Sequence, residues 1–209
     1  NIAKDSGVYI GLPHPYIAPT STVGLFDGDQ FYWDSYFILL GLLQQGKRDV
    51  ARGMVENFAF LVDKYGIIPS RNRYFNLGIS QPPFFTSMIR EVYAETHDKD
   101  WLAQMLEAAV REYRYWVDTK GQHRVYKGLS RYCDHWYTHP TAENESGWDM
   151  TSRFDDRCMD FLPVDLNCLL YKMERDLAFF HEELADERAG DYANAADKRK
   201  YVLCELMYK

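Results

Sequence analysis

From Arg48 to Gly66 the chain reads RDVARGMVENFAFLVDKYG. Val50, Met54, Phe58, Leu61 and Val62 recur at helical spacing and form one apolar stripe, while Arg48, Arg52, Glu56 and Lys64 read as a solvated face. Gly66 follows the last turn and suits the left-handed stop that ends many helices. The same reading extends outward in both directions. It predicts a helix from near Trp33 to Gln45, ended by Gly46, and another from Pro82-Pro83 to about Thr96 with proline in its first turn. A further helix starts from a cap at Asp98 or Asp100, runs through Trp101, Met105, Leu106, Ala109, Tyr113 and Trp116, and closes at Gly121. Two more are predicted, one from Pro163 to about Leu184 and one from near Tyr192 that is still running at Lys209.

No alternating β/α pattern is present, so the expected fold class is all-α: about six helices in antiparallel hairpins with long loops. Such hairpins close as a small bundle or form a sector of a larger helical toroid. The last helix has no stop signal before Lys209, which favours the sector. Residues 1–31 are loop-rich, with Pro13, Pro15 and Pro19 breaking any helix, and residues 67–80 form a connection. Residues 122–162 read as long and irregular, and a connection of that length inside a compact domain usually carries function.

Composition narrows the partners. The net charge is −7 with no lysine- or arginine-rich block, which argues against nucleic acid and against an anionic membrane surface. The longest apolar run, Phe37 to Leu43, is too short to cross a bilayer. Aromatic residues make up 16% of the chain, which fits either a ring-rich core or a ring-walled pocket. Cys133, Cys158, Cys168 and Cys204 show no CxxC spacing, so they read as free thiols of a reducing compartment. The expected location is cytoplasmic, with periplasm or secretion left open because the chain starts at Asn1 and a leader could precede it.

The chemistry concentrates in Glu145-Ser146-Gly147-Trp148-Asp149, two carboxylates beside a tryptophan and a glycine. Sugar-cleaving sites need a carboxylic acid kept protonated by apolar surroundings and an aromatic face for a pyranose ring. Asp149 can also be read as a helix cap. Asp34, after Trp33, can bind sugar hydroxyls or serve the dipole of the helix that starts there. Gln81 can bind a hydroxyl or cap the helix that Pro82 begins. Gly147 lets backbone approach a sugar closely. Glu145 either binds hydroxyls and tunes Asp149, or forms an ion pair with Arg131 or Arg153. His135 and His139 stand four apart near Cys133, but the stretch around Pro140 does not read as a helix, so no metal site is expected.

Five segments resemble the trehalase family, glycoside hydrolase family 37, in that family's order. Phe31-Tyr32-Trp33-Asp34-Ser35-Tyr36 is similar to its YYWDSY core. Ile68-Pro69, Asn72-Arg73-Tyr74 and Ser80-Gln81-Pro82-Pro83-Phe84 are similar to IPNGxRxYYLxRSQPP. Gly128 to Tyr132 resembles GLNRY, Glu145 to Phe154 resembles ESGWDxSSRW, and Pro163 to Asn167 matches PVDLN. The resemblance implies part of an (α/α)6 toroid and an inverting hydrolysis of α-glucosidic bonds, most often that of trehalose; the related family 63 glucosidases share the fold. It implies Asp149 as general acid, raised in pKa by burial against Trp148, and Trp33, Asp34, Asn72, Gln81, Arg131, Glu145, Gly147 and Trp148 as substrate-binding residues. It implies no cofactor, no catalytic metal and a small carbohydrate as partner.

The pattern also departs. Phe26, in Val23 to Asp27, and Ile79 stand near places where the family carries arginines, and Thr138 to Glu143 is a shortened counterpart of its RPES-like stretch. These losses leave open which α-glucoside is cut, and a catalytically inactive carbohydrate-binding or structural protein is the alternative. An inverting enzyme needs a second carboxylate roughly 6.5–9.5 Å from the first. The resemblance places that base in the C-terminal half of the toroid, so the 209 residues are expected to be a single incomplete domain whose missing half supplies it.

Overall fold

The structure, a computed structural model, describes residues 8–20, 28–118, 121–149 and 151–208. The counterpart of the arginine-bearing run at Val23 to Asp27 therefore lies outside the described residues. Seven helices are present among them: α1 (Tyr32–Gln44), α2 (Arg48–Tyr65), α3 (Phe85–Thr96), α4 (Lys99–Val117), α5 (His139–Ser146), α6 (Val164–Glu183) and α7 (Ala189–Met207). A short antiparallel pair, β1 (Arg124–Tyr126) and β2 (Leu129–Ser130), precedes α5.

The helices pack in two layers. α1, α3 and α6 lie side by side, and α2 and α4 lie behind them, so each hairpin alternates between layers; α7 folds back along α6. The stripe read on α2 is the core face: Met54, Phe58, Leu61 and Val62 are buried against Leu102, Met105 and Trp101 of α4 and Met88 and Val92 of α3. α1 differs, because it is apolar nearly all round, yet only Tyr32, Ser35 and Leu39 are fully buried. Phe37 is left 58% exposed, and Tyr201 of α7 is 71% exposed.

Local chemistry sets the boundaries. Gly66 ends α2 at φ +76°, as expected from the sequence. Of the two caps considered for α4, Asp98 is the one used: its carboxylate accepts from Trp101 N–H at 3.0 Å and also binds Arg52 Nη1 at 2.8 Å. Gly121 does not close that helix, which stops at Val117 and leaves Asp118 extended. Pro82 and Pro83 precede α3 rather than entering its first turn; each proline pushes the residue before it out of the helical region, so the helix begins beyond the pair. α7 starts three residues earlier than predicted, at Ala189.

The larger correction falls within residues 122–162. The stretch around Pro140 is helical after all. Thr138 caps α5, its hydroxyl accepting from Thr141 N–H at 3.3 Å, and Pro140 sits in the first turn, where its missing N–H costs no hydrogen bond. His135 lies before this helix and His139 at its first position, so the pair does not share a turn. His139 Nδ1 instead accepts from Met159 N–H at 3.2 Å. No group of three metal-binding side chains forms among the described residues. All four cysteines are free, Cys133 and Cys158 buried and Cys168 and Cys204 exposed. No helix among the described residues is long and apolar enough to cross a membrane.

Candidate active site

Three segments meet at one end of the helical layers: the start of α1, the loop joining α2 to α3, and the end of α5. They enclose a cavity of about 490 Å³. Trp33 and Asp34 enter it from the first turn of α1, Gln81 and Ile79 from the loop, and Asn144, Gly147 and Asp149 from α5 and the residues after it. Residues from Pro19 to Asp149 thus line one cavity, and five of them are among the candidate site residues of the sequence.

Each wall is fixed by identifiable bonds. Tyr32 N–H donates to the Ser70 carbonyl at 3.0 Å, and Ser70 N–H donates to the Ile79 carbonyl at 2.8 Å, which ties the α1 start to both limbs of the loop. Gln81 Oε1 accepts from Trp33 N–H at 3.3 Å. The glutamine therefore caps α1, the helix carrying Trp33 and Asp34, rather than the helix that follows it. Deeper in, the Tyr32 hydroxyl bonds the buried Glu112 carboxyl of α4 and accepts from Phe85 N–H at 3.0 Å. This network holds the first turn of α1 from behind.

Glu145 anchors the opposite wall. It is fully buried and faces neither Arg131 nor Arg153. Oε1 accepts from the Tyr115 hydroxyl at 2.7 Å and Ser80 N–H at 3.4 Å; Oε2 accepts from Cys133 N–H at 2.8 Å and meets His123 Nε2 at 3.0 Å. Both oxygens are thus engaged by the protein, and the imidazole beside them is that of His123. Its bond to Ser80 joins α5 to the loop carrying Gln81. Arg153 pairs instead with Asp165, its guanidinium 5.0 Å from the Trp148 ring centre.

Gly147 ends α5 at φ +70°, and a Cβ there would stand 2.8 Å from Trp33 Cζ2. The close approach this glycine permits is to the indole of Trp33. Asp34 is half-buried at the positive end of α1, and burial raises its pKa. Asp149 is exposed at the rim, and Trp148 beside it is 45% exposed. The burial of Asp149 against Trp148 expected from the sequence is therefore absent among the described residues.

The trehalase family profile matches residues 4–142 and 132–209, nearly the whole chain. This chain belongs to the trehalase family. A "Periplasmic trehalase" of Xanthomonas axonopodis pv. citri is 35% identical over 240 residues, covering 93% of this chain and 41% of the relative. One from Escherichia coli strain UTI89 is 35% identical over 236 residues, covering 90% and 41%. Among solved structures, "Neutral trehalase Nth1 from Saccharomyces cerevisiae" superposes with a TM-score of 0.85 at 28% identity, over 94% of this chain and 46% of that one. The architecture is accordingly that of the trehalase (α/α)6 toroid, and the chain spans about two fifths of the length of the curated relatives it matches.

Not every residue implied by the family resemblance faces the cavity. Asn72 is buried inside the fold: Oδ1 accepts from Gln30 N–H at 2.8 Å, and Nδ2 donates to the Ile10 carbonyl at 3.1 Å. Arg131 braces the long connection through Gln122 and Met159 carbonyls and the Tyr137 hydroxyl. Both side chains organise loops behind the site. Conversely, Arg71, Asn76 and Asn144 line the cavity and were not singled out. Asn144 follows from α5, whose existence Thr138 and Pro140 together signal. Arg71 was findable as the residue standing where the similar family segment has its glycine after IPN.

Proposed function

We propose that the protein to which this chain belongs hydrolyses an α-glucosidic bond, that of trehalose or a related neutral α-glucoside, with inversion. One observation carries the reading: Trp33, Asp34, Gln81, Gly147 and Asp149 converge on a single sugar-sized cavity in a member of the trehalase family. Asp149 protonates the departing glycosidic oxygen. Asp34 and Gln81 hold hydroxyls, and Trp33 gives the ring an apolar face.

A carboxylate from outside these 209 residues serves as the general base and activates water on the far face of the sugar. The same missing part of the toroid covers the exposed Phe37 face of α1 and closes over Asp149. The bacterial relatives are called periplasmic, which moves the expected compartment from the cytoplasm to the periplasm.

The test is Asp149→Asn in the full-length protein, assayed on a panel of α-glucosides. A loss in kcat of at least about a hundredfold is expected for removal of a general acid. Hydrolysis near the wild-type rate would overturn the assignment. Anomer-resolved NMR of the first-formed product checks inversion.

A further inference from the structure

Arg153 and Asp165 meet outside the cavity, beside the segment that carries Asp149. Arg153 Nη1 donates to Asp165 Oδ2 at 3.2 Å, and Nη2 donates to Asp165 Oδ1 at 2.5 Å. Such a two-bond fork fixes the plane of the guanidinium as well as its place. Asp165 lies in the first turn of α6 and also accepts from the hydroxyl of the fully buried Tyr132 at 3.0 Å. The fork is therefore tied to a helix and to the core. The guanidinium carbon in turn lies 5.0 Å from the Trp148 ring centre and 4.8 Å from that of Phe154. The main chain around Trp148 is held as well: its N–H donates to Ser146 Oγ at 3.0 Å, and its carbonyl accepts from Thr151 Oγ1 at 2.9 Å. Asp149 follows directly and lines the cavity, whereas Trp148 does not.

We propose that Arg153 is a positioning residue for the hydrolysis: clamped by Asp165, it holds the Trp148 ring and thereby the direction in which Asp149 presents its carboxyl to the departing oxygen. The proposal rests on the hydrolase reading above, because it takes Asp149 as the acid. An exposed carboxyl on a turn samples many orientations unless its neighbours are restrained, and a displacement of about 1 Å costs on the order of a hundredfold in rate. The bonds to Ser146 and Thr151 fix the main chain of Trp148 but not its ring, which is 45% exposed; the cation packed on that ring supplies the missing restraint. Arg153 does not itself line the cavity, so its effect on the reaction runs through Asp149. The relay also gives three of the family-like segments one task, since Gly128 to Tyr132 carries Tyr132, Glu145 to Phe154 carries Arg153, and Pro163 to Asn167 carries Asp165.

The experiment uses the full-length protein and compares wild type, Arg153→Ala, Arg153→Lys, Asp149→Asn and the double variant D149N/R153A on trehalose and on α-glucosyl fluoride. The glucose that leaves trehalose must take up a proton as its bond to the anomeric carbon breaks, whereas fluoride leaves as a stable anion and draws little on an acid. Arg153→Ala is expected to lower kcat on trehalose about ten- to hundredfold, as for a misplaced acid, with KM within about threefold. Its turnover of the fluoride stays within about threefold of wild type. Arg153→Lys keeps the charge but not the fork or the flat face, and falls between. Once Asp149 is replaced, removing Arg153 as well costs less than about twofold more on trehalose, because the two act as a unit.

A wild-type kcat on trehalose in Arg153→Ala overturns the proposal. So does an equal loss on both substrates, the pattern of a merely structural brace, and so does a full additional loss in the double variant. If Arg153→Ala does not fold, Arg153→Lys carries the same comparison between the two substrates. Each of these results leaves the hydrolase reading standing as long as wild type cleaves trehalose. A wild-type protein that cleaves neither substrate overturns that reading and the role of Arg153 with it.

Discussion

Gly147 and the Trp33 indole meet so closely that a Cβ on the glycine would lie 2.8 Å from Cζ2 and 3.0 Å from Cε2 of the ring. The contact joins the end of α5 to the start of α1 and so closes the cavity between two elements over a hundred residues apart. Two constraints coincide at this glycine, since its φ of +70° is disfavoured for any residue with a side chain. Gly147→Ala should therefore cost about 2–4 kcal/mol, part from backbone strain and part from displacing the indole. It should also weaken sugar binding, because Trp33 must move. Urea unfolding and a calorimetric Kd check both; an alanine variant with wild-type stability and affinity would show that the ring yields freely.

Glu145 is the buried hub behind that wall. Glu145→Gln preserves shape but replaces one acceptor oxygen with a donor, so either Cys133 N–H or Ser80 N–H loses its acceptor and the carboxylate beside His123 is lost. A loss of about 2–4 kcal/mol is expected from unfolding curves, in the range for breaking a buried charged network. The effect should appear in stability first, with KM following only through the altered position of Gln81.

How far the site could be read from sequence depends on the kind of signal each part carries. The stripe on α2, its Gly66 stop and the Asp98 cap are local, and periodicity with cap chemistry exposes them directly. α5 was hidden because Pro140 reads as a breaker until Thr138 is recognised as the cap that places it in the first turn. The convergence of Trp33, Asp34, Gln81, Gly147 and Asp149 was legible only through family resemblance, since no local pattern brings α1 to the end of α5. The actual partners of Glu145 and of Asn72 were not legible at all. Each bonds main-chain groups outside its own element, which are the same in every residue type, and the Tyr115 and His123 side chains reach Glu145 from other segments.

Asn72 and Arg131 permit a test that separates bracing from binding. Asn72→Ala leaves Gln30 N–H and the Ile10 carbonyl unpaired in the interior, which should cost about 2–3 kcal/mol. Arg131→Ala removes the ties to Gln122, Met159 and Tyr137 and should cost about 1–2 kcal/mol, less because the side chain is partly exposed. Neither side chain lines the cavity, so KM should stay within about twofold for whatever fraction remains folded. A rise in KM of tenfold or more at either position would return that residue to the substrate.

Glu112 gives the fold a pH dependence with a definite sign. Burial pushes its pKa from 4.5 up to about 8, against the opposing hydrogen bond of Tyr32. In the native state it holds its proton up to about pH 8; in the unfolded chain it releases the proton near its ordinary value of 4.5. Between those limits the native state binds more protons, so stability is highest at the acid end and falls as pH rises, by up to about 1.4 kcal/mol per pH unit. The slope should flatten above about pH 8, where both states are ionised. Glu112→Gln keeps a neutral group of the same shape and should remove this component, so the variant gains on wild type progressively from pH 5 to pH 8. Urea titrations at each pH unit measure the difference. Parallel profiles for the two proteins would mean that the carboxyl beneath Tyr32 is ionised in the native state throughout this range.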